Sequence, residues 1–341
     1  MSRLFIISLT LLLIFPSASY AQKGIPEEFT MLYYNVDKFF DITDDKGRAD
    51  DDYLPDGIKA WDSERYKAKL KAVTENIALA VDAGQPDIIG LSGIENKKVI
   101  NDIISGRRLR RADYKVFITN SDGMNTAFLI KKELMTVDKT ETISIDSTFL
   151  GKGEVFDYNI LYVNGEVLGL GRCHFFINDW PGVKNNSRAP ENLRMGAAIA
   201  LRKKTDEIFN FERDTRIIIM GTFFDEPTSR SLLSVLNASN KRKNFDYRDL
   251  YNLFYDRHNI EGEGTVLINS TWQMWDQIIV SPSLLGDSRD YHIEFSSGGI
   301  YMPDEVSADR SVLRSTYLGD EYTGAVSAHL PVFCKIKKRG L

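Results

Sequence analysis

The sequence predicts an α/β fold in one continuous domain, and three observations carry that prediction. Short runs apolar at every position recur, Ile217-Ile218-Ile219-Met220 and Ile88-Ile89-Gly90-Leu91 among them, and such runs read as strands buried on both faces. Stretches with apolar residues at steps of three and four alternate with these strands, as helices crossing over a sheet do. No internal repeat and no low-complexity linker divides the chain. With 341 residues, 43% of them hydrophobic and 27% charged, it is globular and long enough for one large core or two small ones.

Residues 1–21 read as a secretory leader. Arg3 gives the positive end, Leu4 to Phe15 the apolar segment, and Ser19-Tyr20-Ala21 the small-residue cleavage pattern. The apolar run falls short of the ~20 residues of a spanning helix, and no other segment approaches that length. The expected mature unit is 22–341, a single domain in the periplasm or secreted. Cleavage removes one Arg and no acid, so the formal charge of −5 becomes −6. That balance gives no global electrostatic reason to seek nucleic acid. Cys173 and Cys334 are the two cysteines, each within an apolar run, and the sequence leaves open whether they pair.

The first strand is Phe29 to Tyr34, leading into Asn35-Val36-Asp37, where Asn and Asp are also ordinary turn formers. Asp44 to Asp56 is an acidic loop. It invites a calcium reading, but its spacing matches no known calcium loop, and a solvated loop is the expectation. Asp62 or Ser63 caps an amphipathic helix marked by Tyr66, Leu70, Val73, Ile77 and Val81, with Gly84 and Pro86 ending it. The strand Pro86 to Leu91 exits through Ser92-Gly93-Ile94-Glu95-Asn96. Glu95 is expected to cap a helix starting near Lys97. Arg107, Arg108, Arg110 and Arg111 form the strongest basic cluster, expected as an exposed helix end and loop.

Asn125 to Ile130 is a strand, and 154–163 with 166–177 are read as two strands joined through Asn164-Gly165, a hairpin signal. The second runs into Asn178-Asp179-Trp180-Pro181-Gly182, and His174 within it reads as a sheet or core histidine. A helix holding Arg194, Ala197, Ala198 and Leu201 ends near Phe209. The buried strand Ile217–Met220 follows, opening into Gly221-Thr222-Phe223-Phe224-Asp225-Glu226-Pro227. After a helix over Ser229–Leu236 come strands at Thr265–Ile268 and Trp272–Val280. The last motif is Ser327-Ala328-His329-Leu330-Pro331-Val332.

Six of these stretches, in order across about residues 28–338, resemble motifs of the endonuclease/exonuclease/phosphatase superfamily, the deoxyribonuclease I-like fold. Arg216 to Pro227 is similar to its strand, then Gly-Asp-Phe-Asn-Asp, then Pro. Ser92 to Asn96 resembles its Leu-x-Glu-(Val or Ile)-Glu-Asn. Trp275-Asp276-Gln277-Ile278-Ile279-Val280-Ser281 matches (Ile or Leu)-Asp-(Gln or Tyr)-Ile-x-Val-Ser, and Ser327 to Val332 resembles Ser-Asp-His-x-Pro-Val. The resemblance implies a four-layer sandwich, two mixed sheets face to face with helices outside. It also implies a site in which a divalent ion and an Asp–Asn pair stabilise the phosphate, while an Asp–His dyad assists the attacking water.

Position by position, Asn35, Asp276 and His329 are kept. The metal-binding Glu is Gly93, the signature Asp and Asn are Thr222 and Phe224, the phosphate-binding His is Asp179, and the penultimate Asp is Ala328. These losses fall on the metal and phosphate side. Each stabiliser removed from such a site costs on the order of 10²–10³ in rate, though the losses do not add. The sequence therefore reads as a pseudoenzyme with no cofactor, binding an envelope protein or glycan, nucleic acid being disfavoured. Phe224, Trp180 and Phe223 are expected to offer stacking surface in the old cleft. The rival reading is an active phosphoesterase with a displaced Mg²⁺, Mn²⁺ or Ca²⁺ held by Asp37, Glu95, Asp179 and Asp225.

Overall fold

The computed structural model describes residues 24–82, 84–121, 123–145, 159–182, 189–286 and 289–340; the expected leader and part of the expected strand over 154–163 lie outside them. In chain order the first strands are β1 (Glu28–Phe39), β2 (Ile88–Ile94), β3 (Tyr114–Ile118), β4 (Asn125–Lys131), β5 (Met135–Ser144), β6 (Asn159–Val167), β7 (Gly171–Asp179) and β8 (Arg216–Thr222). Then come β9 (Ala238–Ser239), β10 (Leu250–Asn252), β11 (Val266–Ile268), β12 (Thr271–Gln273) and β13 (Asp276–Val280). The last are β14 (Tyr291–His292), β15 (Gly299–Ile300), β16 (Tyr317–Leu318), β17 (Glu321–Tyr322) and β18 (Val332–Lys338). The longer helices are α1 (Ser63–Leu79), α2 (Lys97–Ser105) and α3 (Ala189–Phe211).

One seven-stranded sheet runs β14-β18-β1-β2-β4-β3, with β15 also on β18, and the other runs β5-β6-β7-β8-β13-β10-β9. Both are mixed. The pairs β1–β2 and β7–β8 are parallel, whereas β18 on β1 and β13 on β8 are antiparallel. Strand parity explains why the strand runs are apolar throughout. Met31, Tyr33, Phe175, Ile177, Ile218, Met220, Ile278 and Val280 meet between the sheets. The alternate residues face outward: Leu32, Tyr34, Ile89 and Leu91 pack on Val73, Ile77, Val99 and Ile103 of α1 and α2. On the far side Phe176, Ile217, Ile219 and Ile279 pack on Ala197, Ala198, Leu201 and Phe209 of α3. Helix, sheet, sheet, helix is the four-layer sandwich the resemblance implies.

Several local expectations change. Asp62 does cap α1, accepting the N–H groups of Glu64 and Arg65 at 3.0 and 2.9 Å, but α1 ends at Leu79, before Gly84. The cap of α2 is Asn96, whose Oδ1 accepts the Val99 N–H at 3.1 Å; Glu95 is occupied elsewhere. Asn164-Gly165 lies inside β6, and the β6–β7 turn falls at Leu168–Leu170. There β5 bulges between Val137 and Lys139, and a Cβ at Gly165 would stand 2.1 Å from the Thr136 carbonyl oxygen. The expected strand Trp272–Val280 splits into β12 and β13. The Glu226 carboxylate accepts the Met274 N–H at 3.0 Å, and Gln277 Nε2 donates to the Met274 carbonyl at 2.6 Å. The helix expected over Ser229–Leu236 is a π-helical turn over Arg230–Val235. Cys173 and Cys334 are buried, unpaired thiols. Among the described residues no helix is long and apolar enough to cross a membrane.

Candidate functional site

β8 ends where the kept and lost motif residues converge. Its last residue, Thr222, pairs with Asp179 of β7 on one side and Asp276 of β13 on the other. Parity aims all three between the sheets, continuing the rows 218-220-222, 175-177-179 and 280-278-276. From the facing sheet, Tyr33 and Asn35 point into the same space, with Asn35 opposite Ser92 of β2. His329 reaches in from the segment before β18. Residues some 290 positions apart in sequence are thus gathered by register alone.

The centre is a closed hydrogen-bond network. His329 Nδ1 lies 2.8 Å from Asp276 Oδ2. Asp276 Oδ1 accepts the Thr222 hydroxyl at 2.5 Å. Thr222 Oγ1 in turn accepts from Asn35 Nδ2 at 3.0 Å, and its backbone N–H donates to the Tyr33 hydroxyl at 3.0 Å. That phenol sits 2.6 Å from Ser92 Oγ. Thr222 and Asp276 are fully buried and Asn35 and His329 nearly so. Burial alone would lower the His329 pKa, but the Asp276 carboxylate, aided by Asp37 and Asp179, outweighs it and holds the imidazole above its ordinary value. The Asp276–His329 pairing that the resemblance implies is therefore present in geometry.

The positions that would serve a metal and a phosphate are filled differently. Gly93 has φ +75°, and a Cβ there would lie 2.0 Å from the Asp37 carbonyl oxygen and 3.1 Å from Asn35 Oδ1. The cause is a bulge: Asn35 pairs with Ser92 and Phe39 with Ile94, so three residues of β1 pass one of β2. Asp37 turns left-handed there, φ 56°, and its carbonyl takes the space a side chain at 93 would need. Phe224, also at positive φ, holds its ring 5.1 Å from Trp275 and edge-on to His329 at 6.0 Å. Gly182 makes room for it, since a Cβ there would meet the Phe224 ring at 3.0 Å. The residues present do not fit the superfamily's divalent ion: one ligand has no side chain, one is a hydroxyl already satisfied, one is a phenyl ring.

The four carboxylates expected to share a displaced ion are not gathered either. Among the described residues no metal-sized group contains Asp37, Asp179 or Asp225. Asp37 Oδ2 accepts the Thr316 N–H at 3.1 Å; burial would raise its pKa, but buried Lys69 and that N–H lower it. Asp225 bonds Arg194 Nε at 2.8 Å and the Ser231 hydroxyl. Glu95 Oε2 accepts the Asp41 N–H at 2.6 Å and sits with Asp45 and Asp50. Asp179 and Asp37 line the cleft with His329. Burial pushes the Asp179 pKa up to about 7, with His329 pulling the other way and Asp276 and Asp37 adding to the rise.

Because the folded pKa of Asp179 lies above its unfolded value, the folded state holds its proton longer, and stability falls as pH rises from about 4 to about 7. Asp179→Asn is therefore expected to be nearly neutral at pH 4 and to stabilise by about 1–2 kcal/mol at pH 8, after discounting for solvent reach. Urea unfolding at the two pH values checks this.

The cleft above the dyad has a volume of about 810 Å³, and its walls include Phe224, Trp275, Leu313, Arg314, Asp179 and His329. Of the three aromatics expected there, only Phe224 lines it. Trp180 and Phe223 are buried beneath α3, ring centroids 4.8 Å apart. Parity again decides: each follows an inward residue, Asp179 or Thr222, and so points outward. Trp275, whose neighbour Asp276 drew attention in the sequence, is the aromatic that joins Phe224. His174 is buried, as expected, with Nδ1 2.7 Å from the Tyr162 hydroxyl, and burial lowers its pKa to about 4. The four-arginine segment 107–111 is exposed at each Arg.

Two mixed sheets packed face to face, with the Asp276–His329 pair at the strand ends of one cleft, form the arrangement the resemblance implies. The endonuclease/exonuclease/phosphatase family model matches residues 30–338, and the chain belongs to that family. Among solved structures it is similar to D. rerio TDP2 carrying 14 humanizing mutations, at 13% identity and TM-score 0.56, covering 92% of this chain and 100% of that one. It is also similar to the human Nocturnin catalytic domain with a bound sulfate anion, at 13% identity and TM-score 0.54 over 92% and 95% of the two chains. A Bacteroides thetaiotaomicron mannosyl-6-phosphatase aligns at 15% identity and TM-score 0.54 over 90% and 99%. At these identities the likeness is one of fold. A search of curated protein sequences finds no match.

Proposed function

We propose that this chain is an exported pseudoenzyme of its family, with a dismantled phosphoesterase site and a cleft that works by binding an envelope protein or glycan. One observation carries the reading: the space for a metal-binding side chain at position 93 is taken by the Asp37 carbonyl, so the loss is built into the backbone. The satisfied Thr222 hydroxyl and the Phe224 ring over His329 point the same way. Phe224 and Trp275 form an aromatic corner suited to stacking a sugar ring or an apolar side chain, with Asp179 and Arg314 for its hydroxyl or amide groups.

The expected result is background hydrolysis of nitrophenyl phosphates, small phosphodiesters and DNA in Mg²⁺, Mn²⁺ or Ca²⁺, unchanged by His329→Ala. Glycan arrays and envelope pull-downs with the mature chain should yield a ligand whose affinity falls at least tenfold in Phe224→Ala or Trp275→Ala, as for a lost stacking contact of about 1.4 kcal/mol. Metal-dependent turnover abolished by His329→Ala would sink the reading. It would establish the rival, a phosphoesterase with a rearranged metal site, which the intact 2.8 Å contact between Asp276 and His329 favours.

A further inference from the structure

The acidic loop Asp44–Asp56 is largely solvated as expected, with Asp44, Asp51, Asp52 and Asp56 exposed, but Asp50 within it is buried. Asp50 is 2% exposed, and Asp41 and Glu95, joined by the Asp41 N–H to Glu95 Oε2 bond, are 3% and 1% exposed. Single carboxylate oxygens of Asp45, Asp50 and Glu95 lie within 4.8 Å of one another, and those of Asp44, Asp50 and Asp51 form a second such group sharing Asp50. Asp50 Oδ2 accepts the Asp45 N–H at 2.9 Å, but Asp50 Oδ1 is buried with no hydrogen-bond partner. A buried, unpaired carboxylate oxygen is costly unless a cation meets it.

Two neighbouring cations, Arg48 and Lys98, are committed elsewhere, and Lys46 is exposed. Arg48 Nη1 donates to the backbone carbonyl of Glu95 at 2.9 Å and to that of Gly123, and its Nε stands 3.9 Å from Asp45 Oδ2. Lys98 lies 3.6 Å from Asp41 Oδ2 and shares its charge with Asp102. Asn96 Nδ2 donates to Asp41 and Asp45 but carries no charge. Neither Arg48 nor Lys98 makes its contacts with Asp50.

We propose that Asp45, Asp50 and Glu95 hold a hard divalent cation, calcium by its tolerance of an irregular, carboxylate-rich shell, fastening the loop 41–52 to the exit of β2. Calcium takes about six to eight oxygens in flexible geometry, whereas magnesium demands a near-ideal octahedron and keeps several waters. The three ligand atoms lie within 4.8 Å of one another, close enough for one ion to meet all three. The exposed carboxylates of Asp44 and Asp51, beside Asp50, supply further oxygens toward solvent. None of these residues lines the cleft, so the site is structural and independent of the cleft's function. What it steadies is the chain leading to Tyr53, which stacks on Phe40 at 4.0 Å and meets Tyr317 edge-on.

The test uses the full mature chain, stripped with a chelator and titrated calorimetrically with CaCl₂, with MgCl₂ in parallel. Calcium is expected to bind at about one ion per chain and, at a hundredfold excess over Kd, to raise Tm by about 5 °C. Asp50→Asn and Glu95→Gln should each weaken binding at least tenfold and lose the Tm shift, while Asp309→Asn, whose carboxylate instead accepts the Ser311 N–H, should keep both. No heat and no Tm shift with calcium in the wild-type chain would overturn the proposal. So would wild-type calcium affinity in both Asp50→Asn and Glu95→Gln, or binding of magnesium alone. If a variant does not fold, the wild-type titration decides.

Discussion

Gly93→Ala is expected to destabilise the protein by about 2–4 kcal/mol, although it adds one methyl group at a position whose family residue is larger. About 1 kcal/mol comes from holding a non-glycine residue at φ +75°. The remainder comes from moving the Asp37 carbonyl away from a 2.0 Å contact, an overpacking cost of about 1–3 kcal/mol. Gly93→Glu, which restores the family side chain, should be at least as costly and should bring back neither Mg²⁺ binding nor hydrolysis. The carboxylate would have to enter where the β1 bulge already lies, and its partners Thr222 and Phe224 remain altered. Urea unfolding and Mg²⁺ calorimetry on the two variants check this. A Gly93→Glu protein with wild-type stability and metal-dependent turnover would show that the site is one side chain from working, and the pseudoenzyme reading would fall with it.

Much of this fold was legible in the sequence because a strand buried on both faces cannot hide its composition. Ile217 to Met220 and Ile88 to Leu91 feed two cores each, and nothing but a sandwiched sheet asks that of consecutive residues. The Asp276–His329 pairing was legible through its motifs, and the replaced positions were legible as identities. What the sequence did not disclose depends on register. That Asp37 covers Gly93 follows from three residues of β1 passing one of β2, which no local pattern encodes. Glu95 read as a helix cap because Asn96 and Glu95 are both acceptors at the right place; only the loop folding back over β2 turns one toward Asp45 and Asp50. The error over Trp180 and Phe223 was avoidable. Once Asp179 and Thr222 are placed inward, alternation sends the next residue outward, into the core under α3.

Asp276→Ala is expected to be the most damaging single change in the cleft, about 3–5 kcal/mol, because it strands a buried imidazole and a buried hydroxyl together. The loss should depend on pH in a definite direction. His329 has a folded pKa above its unfolded value of about 6.5, so the stability it draws from Asp276 is fully present below pH 6.5 and is lost as pH rises through the folded pKa. The cost of Asp276→Ala should therefore be larger at pH 5.5 than at pH 9. At pH 9 what remains is the lost Thr222 hydrogen bond, the cavity and the packing around Trp275. Asp276→Asn, which keeps shape and an acceptor for Thr222 but not the charge, should recover much of the loss at pH 9 and little at pH 5.5. Denaturant titrations of both variants at the two pH values separate the contributions. Equal losses at pH 5.5 and pH 9 would mean that His329 is held neutral, and that the dyad persists in this chain as packing without its charge.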